Sequence, residues 1–342
     1  FEQTACVHDR AGGSKVRYVS VAMKVLVAVA GIAGAQGLAH GQAYPQRPIT
    51  LIAATAPGGP GDTAARVIAG RMSAILGQQI VIENVPGAGG VTGAARVARA
   101  EPDGYTLLIH QTGITIAPAL YPKLPFSVEK DFTAVGLVNT SYSFLVGRSS
   151  LPANSLRALA DWMKDRPAKF AHPGNGTLGH LTTVLFAKSM GVAIDAVPYR
   201  GIGPAMNDIL GGHVDLLWAG AASAAPLIKA GTIKAYAFGT TKRSPLAPDV
   251  PSAGELGYPE VDIPFWHALF APAATPKPII DKLNAALRET LADPDVVKAY
   301  AQSGVEAFPP DQRTPDAANA VVRSELERWT KIIHENKIQS EP

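Results

Sequence analysis

Short apolar segments alternate with longer segments of helical periodicity along the chain from residue 49 onward. Gly and Pro bound the apolar segments, which predicts strands, and the segments between them repeat apolar positions at the spacing of a helix. Strands that alternate with helices indicate βαβ units with a mostly parallel sheet. In the first third, the predicted order is strand 49–55, helix Asp62–Leu76, strand 78–84, helix Gly90–Arg99 and strand 105–110.

The same alternation resumes after residue 150 and predicts a second α/β unit over residues 143–264. A chain of about 300 residues usually divides into two domains, in agreement with two such units. The predicted elements of the second unit are helix Ser155–Lys164, strand 168–172, helix Leu178–Met190, strand 195–199, helix Pro204–Leu210, strand 214–220, helix Ala225–Ala230 and strand 232–239.

The last part of the chain predicts two long amphipathic helices, Pro276–Ala301 and Ala317–Asn336, which need an apolar surface to pack on. If they pack on the first unit, lobe 1 is discontinuous. We therefore expect lobe 1 over 44–142 and 265–342, with lobe 2 over 143–264. Two crossover strands, near Val138–Val146 and Asp262–Phe270, then form a hinge.

The segment Met23–Ala43 has the pattern of a secretory signal peptide. Lys24 precedes the apolar run Val25–Ala35, and small residues follow at Gly41 and Ala43. The run is about half of the 20 residues that a transmembrane helix needs. We therefore expect residues 1–43 to be an upstream segment and a signal peptide, and the protein to be periplasmic.

Composition excludes several classes of function. The single cysteine, Cys6, precedes the predicted signal peptide, which excludes a thiol catalyst, a disulfide scaffold and a cysteine-ligated metal site in the exported chain. From residue 44 onward there are 27 basic and 26 acidic residues. Such a balance argues against nucleic-acid binding, which needs clustered positive charge. The histidines show no helical i, i+4 pair, and we expect no metal and no cofactor.

Three glycine-rich loops each follow a predicted strand and precede a helix: loop 1 (54–62), loop 2 (85–90) and loop 3 (173–180). Glycines let the backbone approach a ligand closely, and the N–H groups at a helix start attract anions. Such loops suit a carboxylate without any Lys or Arg. Asp62 is expected either to cap its helix or to contact ligand. Thr177 is a candidate N-cap, and His180 can donate to an anion or merely pack.

Loop 3 contains a G-x-G-x-x-G pattern at Gly174, Gly176 and Gly179. A dinucleotide site requires an acidic residue at the end of the next strand. Asp195 precedes that strand and Arg200 follows it, so nucleotide binding is disfavoured. The chain has no G-x-S-x-G motif. An exported hydrolase with a dispersed Ser/His/Asp site remains the alternative, because the fold can bring such residues together.

Several segments, in this order, together resemble the periplasmic receptors of tripartite tricarboxylate transporters, the Bug receptors: "YPQRPITLIAATAPGGPGDTAAR", "NVPGAGGVTGAARVARAEPDGYTLL", "PGNGTLGHL", "AVPYRGIGPAMNDILGGHVDLLW" and "PSAGELGYP". The resemblance covers residues 44–342. It implies a type II periplasmic binding protein fold, in which two α/β lobes close over one small ligand, usually a carboxylate. It also implies a receptor without enzymatic activity that delivers its ligand to membrane transporter subunits, and we expect a monomer.

The resemblance further implies that loop 1 and loop 3 are opposing ligand pincers, with more walls supplied by the segments that follow the strands at 195–199 and 214–220. The ligand is aliphatic or aromatic, and Trp218 is a candidate to face the cleft because it lies near the end of a strand. The implied ligand-binding residues are Pro57, Gly58, Gly59, Asp62, Gly174, Asn175, Gly176, Thr177, His180, Tyr199, Gly201, Gly203, Ala219 and Gly220.

Overall fold

The computed structural model describes residues 44–121 and 123–338. The predicted signal peptide and the segment before it lie outside these ranges. The strands are β1 Ile49–Ala53, β2 Ile80–Asn84, β3 Thr106–Gln111, β4 Phe132–Ser141, β5 Ser143–Arg148, β6 Ala168–His172, β7 Ile194–Pro198, β8 Leu216–Gly220, β9 Ile233–Phe238, β10 Phe265–Pro272 and β11 Val305–Ala307.

The helices connect and cover these strands. They are α1 Pro60–Leu76, α2 Val91–Ala98, α3 Gly113–Leu120, α4 Val128–Asp131, α5 Leu156–Lys164, α6 Leu178–Met190, α7 Ile202–Gly211, α8 Ala221–Lys229, α9 Lys277–Ala292, α10 Pro294–Gln302 and α11 Pro315–Glu335. In the part of the chain that the structure describes, no helix is both long and apolar enough to cross a membrane.

The strands form two sheets, one in each lobe. The first has the order β11-β4-β10-β3-β1-β2, and the second has the order β7-β6-β8-β5-β9. The chain leaves the first sheet after Ser141 and enters the second at Ser143, and it returns to the first sheet at Phe265.

Both sheets are mixed, which corrects the expectation of mostly parallel sheets. Among the described strands, four pairings are parallel and five are antiparallel. The antiparallel pairings all involve β4, β5 or β10, the strands next to the crossings between lobes. Strand β10 runs opposite to β3 and β4 in the first sheet, and β5 runs opposite to β8 and β9 in the second, so each sheet contains a reversed strand between strands of the common direction.

The predicted helix over Pro276–Ala301 is two helices, α9 and α10. Asp293 separates them with extended backbone, at φ −65° and ψ 128°. The following residue, Pro294, disfavours helical backbone at Asp293, and the Asp293 carboxylate then caps α10 by accepting from Asp295 N at 2.9 Å. Helix α7 begins two residues earlier than predicted, and α8 begins four residues earlier, at Ala221.

A hydrophobic cluster joins the two lobes. Ile116 and Leu120 of α3 and Trp329 of α11, all in lobe 1, pack with Leu181 of α6 in lobe 2. Ile263, next to the return crossing, belongs to the same cluster. Further cores fill each lobe on the faces of its own sheet. The helix α6 that follows loop 3 is therefore buried against both lobes.

Candidate functional site

Several of the helices that follow strands begin without a side-chain cap. Four helices that each follow a strand of either lobe have glycine at the N-cap and no side-chain cap: α1 (Gly59), α2 (Gly90), α7 (Gly201) and α8 (Gly220). Elsewhere Ser155, Asp293 and Thr314 cap α5, α10 and α11 with their side chains. The uncapped starts leave N–H groups available to an anion.

Loop 1 is held by the Asp62 carboxylate. Its oxygens accept from Gly58 N at 2.9 Å, from Arg66 Nε at 2.9 Å and from Asn84 Nδ2 at 3.0 Å. These hydrogen bonds, of which that from Arg66 has the largest effect, lower the pKa of Asp62 to about 2, although burial acts to raise it. The carboxylate is therefore charged and fully engaged within the loop.

The expectation that Asp62 caps its helix is wrong. Helix α1 begins at Pro60, so Asp62 is the third helical residue and Gly59 is the N-cap. Proline suits the first helical position because its fixed φ is already helical. The Asp62 carboxylate does not accept from the N–H groups that follow it in the helix; it accepts from Gly58 N, which precedes the helix. The remaining loop 1 candidates, Pro57 and Gly58, are exposed, and Gly59 is half-buried.

Loop 1 packs closely on the end of β1. Asn84 Nδ2 also donates to Thr55 O at 3.2 Å. A Cβ at Gly59 would stand 2.6 Å from Thr55 Oγ1, and one at Gly61 would stand 2.9 Å from Thr55 Cγ2. Glycine is therefore required sterically at both positions.

Loop 3 forms a capped turn around His180. Thr177 caps α6 by accepting from His180 N at 3.4 Å, as predicted, and its hydroxyl donates to Gly174 O at 2.6 Å. Gly176 N donates to His180 Nδ1 at 3.1 Å, and the His180 ring stacks on His172 at 4.4 Å between centroids.

This arrangement fixes the protonation of His180. Burial, and then the proximity of His172, lowers the pKa of His180 to about 4, so the ring is neutral at pH 7. The Gly176 N–H occupies the Nδ1 lone pair, which leaves the proton on Nε2. His180 thus offers a neutral N–H donor at a helix start.

The segment after β7 lies beside loop 3. Tyr199 N donates to His172 O at 2.9 Å, and a Cβ at Gly174 would stand 3.5 Å from Tyr199 O. The Tyr199 hydroxyl donates to Asp208 Oδ2 at 2.5 Å. Burial and then Asp208 raise the pKa of Tyr199 to about 12. The side chain of Tyr199 therefore positions this loop against α7.

The other lobe 2 candidates differ in exposure. Asn175 and Gly201 are half-buried, whereas Gly203 and Gly220 are exposed. Ala219 is fully buried in the lobe 2 core. Trp218 is also a buried core residue, in edge contact with Phe186. Both residues lie within β8, where packing on the helices decides their environment.

Helix α3 connects the loops of the two lobes. A Cβ at Gly113, where α3 begins, would stand 3.6 Å from Gly89 O of loop 2. A Cβ at Gly176 of loop 3 would stand 2.6 Å from Cδ1 of Leu120, where α3 ends. Seven helical steps separate Gly113 from Leu120, a distance of about 10 Å. Helix α3 therefore contacts loop 2 at its first residue and loop 3 at its last.

Two features of this region were missed by the sequence reasoning. Leu120 ends a helix whose sequence, "GITIAPAL", is apolar on all sides and has no amphipathic pattern. His267 lies in β10 with its Nδ1 2.8 Å from Asn139 Oδ1. Its only signal in the sequence was a histidine inside the apolar run "PFWHALFAP".

Three histidines in this region bond through Nδ1 to a backbone amide or to an amide side chain. His110 Nδ1 accepts from Gln111 N, His180 Nδ1 from Gly176 N, and His267 Nδ1 pairs with Asn139. None of these three rings bonds to a serine hydroxyl. Within residues 44–121 and 123–338, no group of three or more His, Cys, Asp or Glu side chains is placed to hold a metal ion.

Comparison with known proteins gives close relatives. The chain is 37% identical over 315 residues to Protein BugT from Bordetella pertussis, covering 91% of this chain and 95% of BugT. The structure of periplasmic binding protein BugD matches with a TM-score of 0.77 at 35% identity, covering 87% of this chain and 100% of BugD. MatC from Rhodopseudomonas palustris, solved with bound malate, matches with a TM-score of 0.75 at 37% identity, covering 85% and 100%.

These matches confirm the two-lobed periplasmic binding protein fold that the sequence resemblance implied. The model of the tripartite tricarboxylate transporter family receptor matches residues 64–338, which begin just after loop 1 and include all of loops 2 and 3. The chain therefore belongs to the family of tripartite tricarboxylate transporter receptors.

Proposed function

We propose that this protein is an exported receptor that binds one small carboxylate between its two lobes and delivers it to a membrane transporter. The observation that carries the proposal is a set of helices that follow strands of both lobes and begin with a glycine at the N-cap. No side chain caps the first N–H groups of these helices. Backbone N–H groups at helix starts hold carboxylates because their partial positive charges point at the ligand.

The charges around the loops support binding by neutral donors. Arg66 is engaged by Asp62, and Arg200 is exposed to solvent. The neutral Nε2–H of His180 adds a side-chain donor to the start of α6. Asp62 acts in this proposal by holding loop 1 in shape, because three donors already occupy its carboxylate.

The proposed lobes are residues 44–142 with 265–338, and residues 143–264, with Tyr142 and the segment before Phe265 as the hinge. The proposed ligand is a carboxylate of a few carbon atoms or with one aromatic ring. Ligand that contacts both lobes stabilises the closed state, which is the state proposed to engage the transporter subunits. MatC, which was solved with malate, is a relative with a ligand of this size.

The experiment that tests the proposal is native mass spectrometry of the protein purified under non-denaturing conditions from its own host. We expect an added mass that matches a small carboxylate and disappears after partial unfolding and dialysis. A retained ligand without a carboxyl group, or a stripped protein that binds no member of a broad carboxylate panel, would count against the proposal.

A further inference from the structure

A buried histidine in lobe 1 has a ring nitrogen without a partner. His267 and its neighbour Asn139 are each 4% exposed. His267 Nδ1 pairs with Asn139 Oδ1, but His267 Nε2 is enclosed and meets no hydrogen-bonding group in the described chain. Native proteins rarely leave a buried polar atom in this state, so the Nε2 atom calls for an explanation.

The Asn139 contact fixes which nitrogen carries the proton. An amide oxygen only accepts, so the proton is on His267 Nδ1, and Nε2 presents a lone pair. Burial, and then the proximity of His110, lowers the pKa of His267 to about 3. The ring therefore stays neutral, and Nε2 is a hydrogen-bond acceptor.

The Nε2 atom lies next to the first turn of α1. A Cβ at Gly61 would stand 3.8 Å from it. Gly61 and Asp62 are in the first turn of this helix, which has no side-chain cap. An acceptor thus lies beside the N–H groups that are proposed to hold the ligand carboxylate. His180 and His267 have opposite polarity at Nε2, since His180 donates and His267 accepts.

We propose that His267 Nε2 accepts a hydrogen bond from a hydroxyl or ammonium group near the carboxylate of the ligand. The receptor then selects hydroxy- or amino-carboxylates over the corresponding plain acids. A buried acceptor rejects an analogue that lacks the donor, because the acceptor stays unpaired in that complex. This inference rests on the proposed function and names the ligand class of the same site.

The test is calorimetry of ligand-stripped protein with matched acids: succinate against malate and aspartate, and phenylacetate against mandelate. We expect the donor-bearing acid of a set to bind at least about tenfold more tightly. His267→Asn keeps a polar group facing Asn139 but removes the Nε2 position. In this variant the preference should fall below about twofold while affinity for the plain acid is retained. His334→Asn, on the exposed end of α11, is the matched control and should leave the preference unchanged.

Equal affinities in the wild type, or a preference that survives in His267→Asn, would overturn the inference. A separate measurement does not depend on folding of the variant. In protein labelled with ¹⁵N-histidine, the imidazole NMR signals of His267 should show the proton on Nδ1, and a proton on Nε2 would also overturn it. If no acid of the panel binds the wild type, the receptor function itself is contradicted, and the NMR tautomer still decides the state of Nε2.

Discussion

Leu120 Cδ1 lies 2.6 Å from the position that a Cβ at Gly176 would occupy. Leu120 ends α3 in lobe 1, and Gly176 is in loop 3 of lobe 2 with φ +72°. The closest approach of the two lobes at this point is therefore set by the missing side chain of a glycine.

Gly176→Ala should hold the lobes apart and weaken ligand binding by at least about tenfold, because part of the binding energy is then spent on a strained closed state. Calorimetry measures the change, and Leu120→Ala in the same chain should restore part of the affinity. Gly191→Ala is the matched control, since Gly191 has φ +65° but open space around it. If Gly191→Ala weakens binding equally, the contact with Leu120 is not the cause.

Asp62→Ala should loosen loop 1, because Gly58 N, Arg66 and Asn84 lose their shared acceptor. We expect the free energy of unfolding to fall by about 1–3 kcal/mol. Ligand affinity should fall with it. Chemical denaturation and calorimetry measure the two effects. Asp161→Ala, at an exposed pair with Lys164, should leave the stability nearly unchanged. An intact affinity in Asp62→Ala would show that the carboxylate does not shape the site.

Gly59→Ala should displace loop 1, because its Cβ would meet Thr55 Oγ1 at 2.6 Å and Ala56 O at 3.0 Å. We expect at least about a tenfold loss of affinity. Gly70→Ala, in open space on the same helix, should bind normally and gain about 0.5–1 kcal/mol of stability. Calorimetry and thermal unfolding compare the two variants. Equal affinities for both would place the ligand away from loop 1.

Stability should decline as the pH falls below about 6.5. The pKa of His180 is about 4 and that of His267 about 3 in the folded protein, against an ordinary value of 6.5. The unfolded chain therefore takes up protons first, and the contribution of these rings is complete above pH 6.5 and is lost towards pH 4 to 3. Thermal unfolding across this range measures the slope, and His180→Gln should reduce it. An unchanged slope in that variant would contradict a neutral His180.

The sequence predicts the alternation of strands and helices and most of the helices, because the spacing of apolar residues indicates which faces are buried. The apolar pattern does not indicate strand direction, so the reversed direction of β5 and β10 appears only in the fold. Helix α3 was missed since it is apolar on all sides. The sequence does indicate the break between α9 and α10 at Asp293, because the proline at position 294 disfavours helical backbone at the residue before it.

In the candidate site, too, some features can be predicted from the sequence and others cannot. Glycine loops and the Thr177 cap follow from local sequence, whereas Ala219 and Trp218 required knowledge of which face of β8 is core. Asn139 and His267 are 128 positions apart, and their hydrogen bond exists only because β4 pairs with β10. A single sequence does not indicate which distant segments come into contact.

The central claim is that backbone N–H groups at helix starts bind a carboxylate. It is tested most directly by calorimetry of ligand-stripped protein with a carboxylate and with the amide made from the same carboxyl group. We expect at least one acid to bind with a Kd of about 1 μM or tighter and its amide to bind about a hundredfold more weakly, or not at all. Equal binding of acid and amide would contradict the claim.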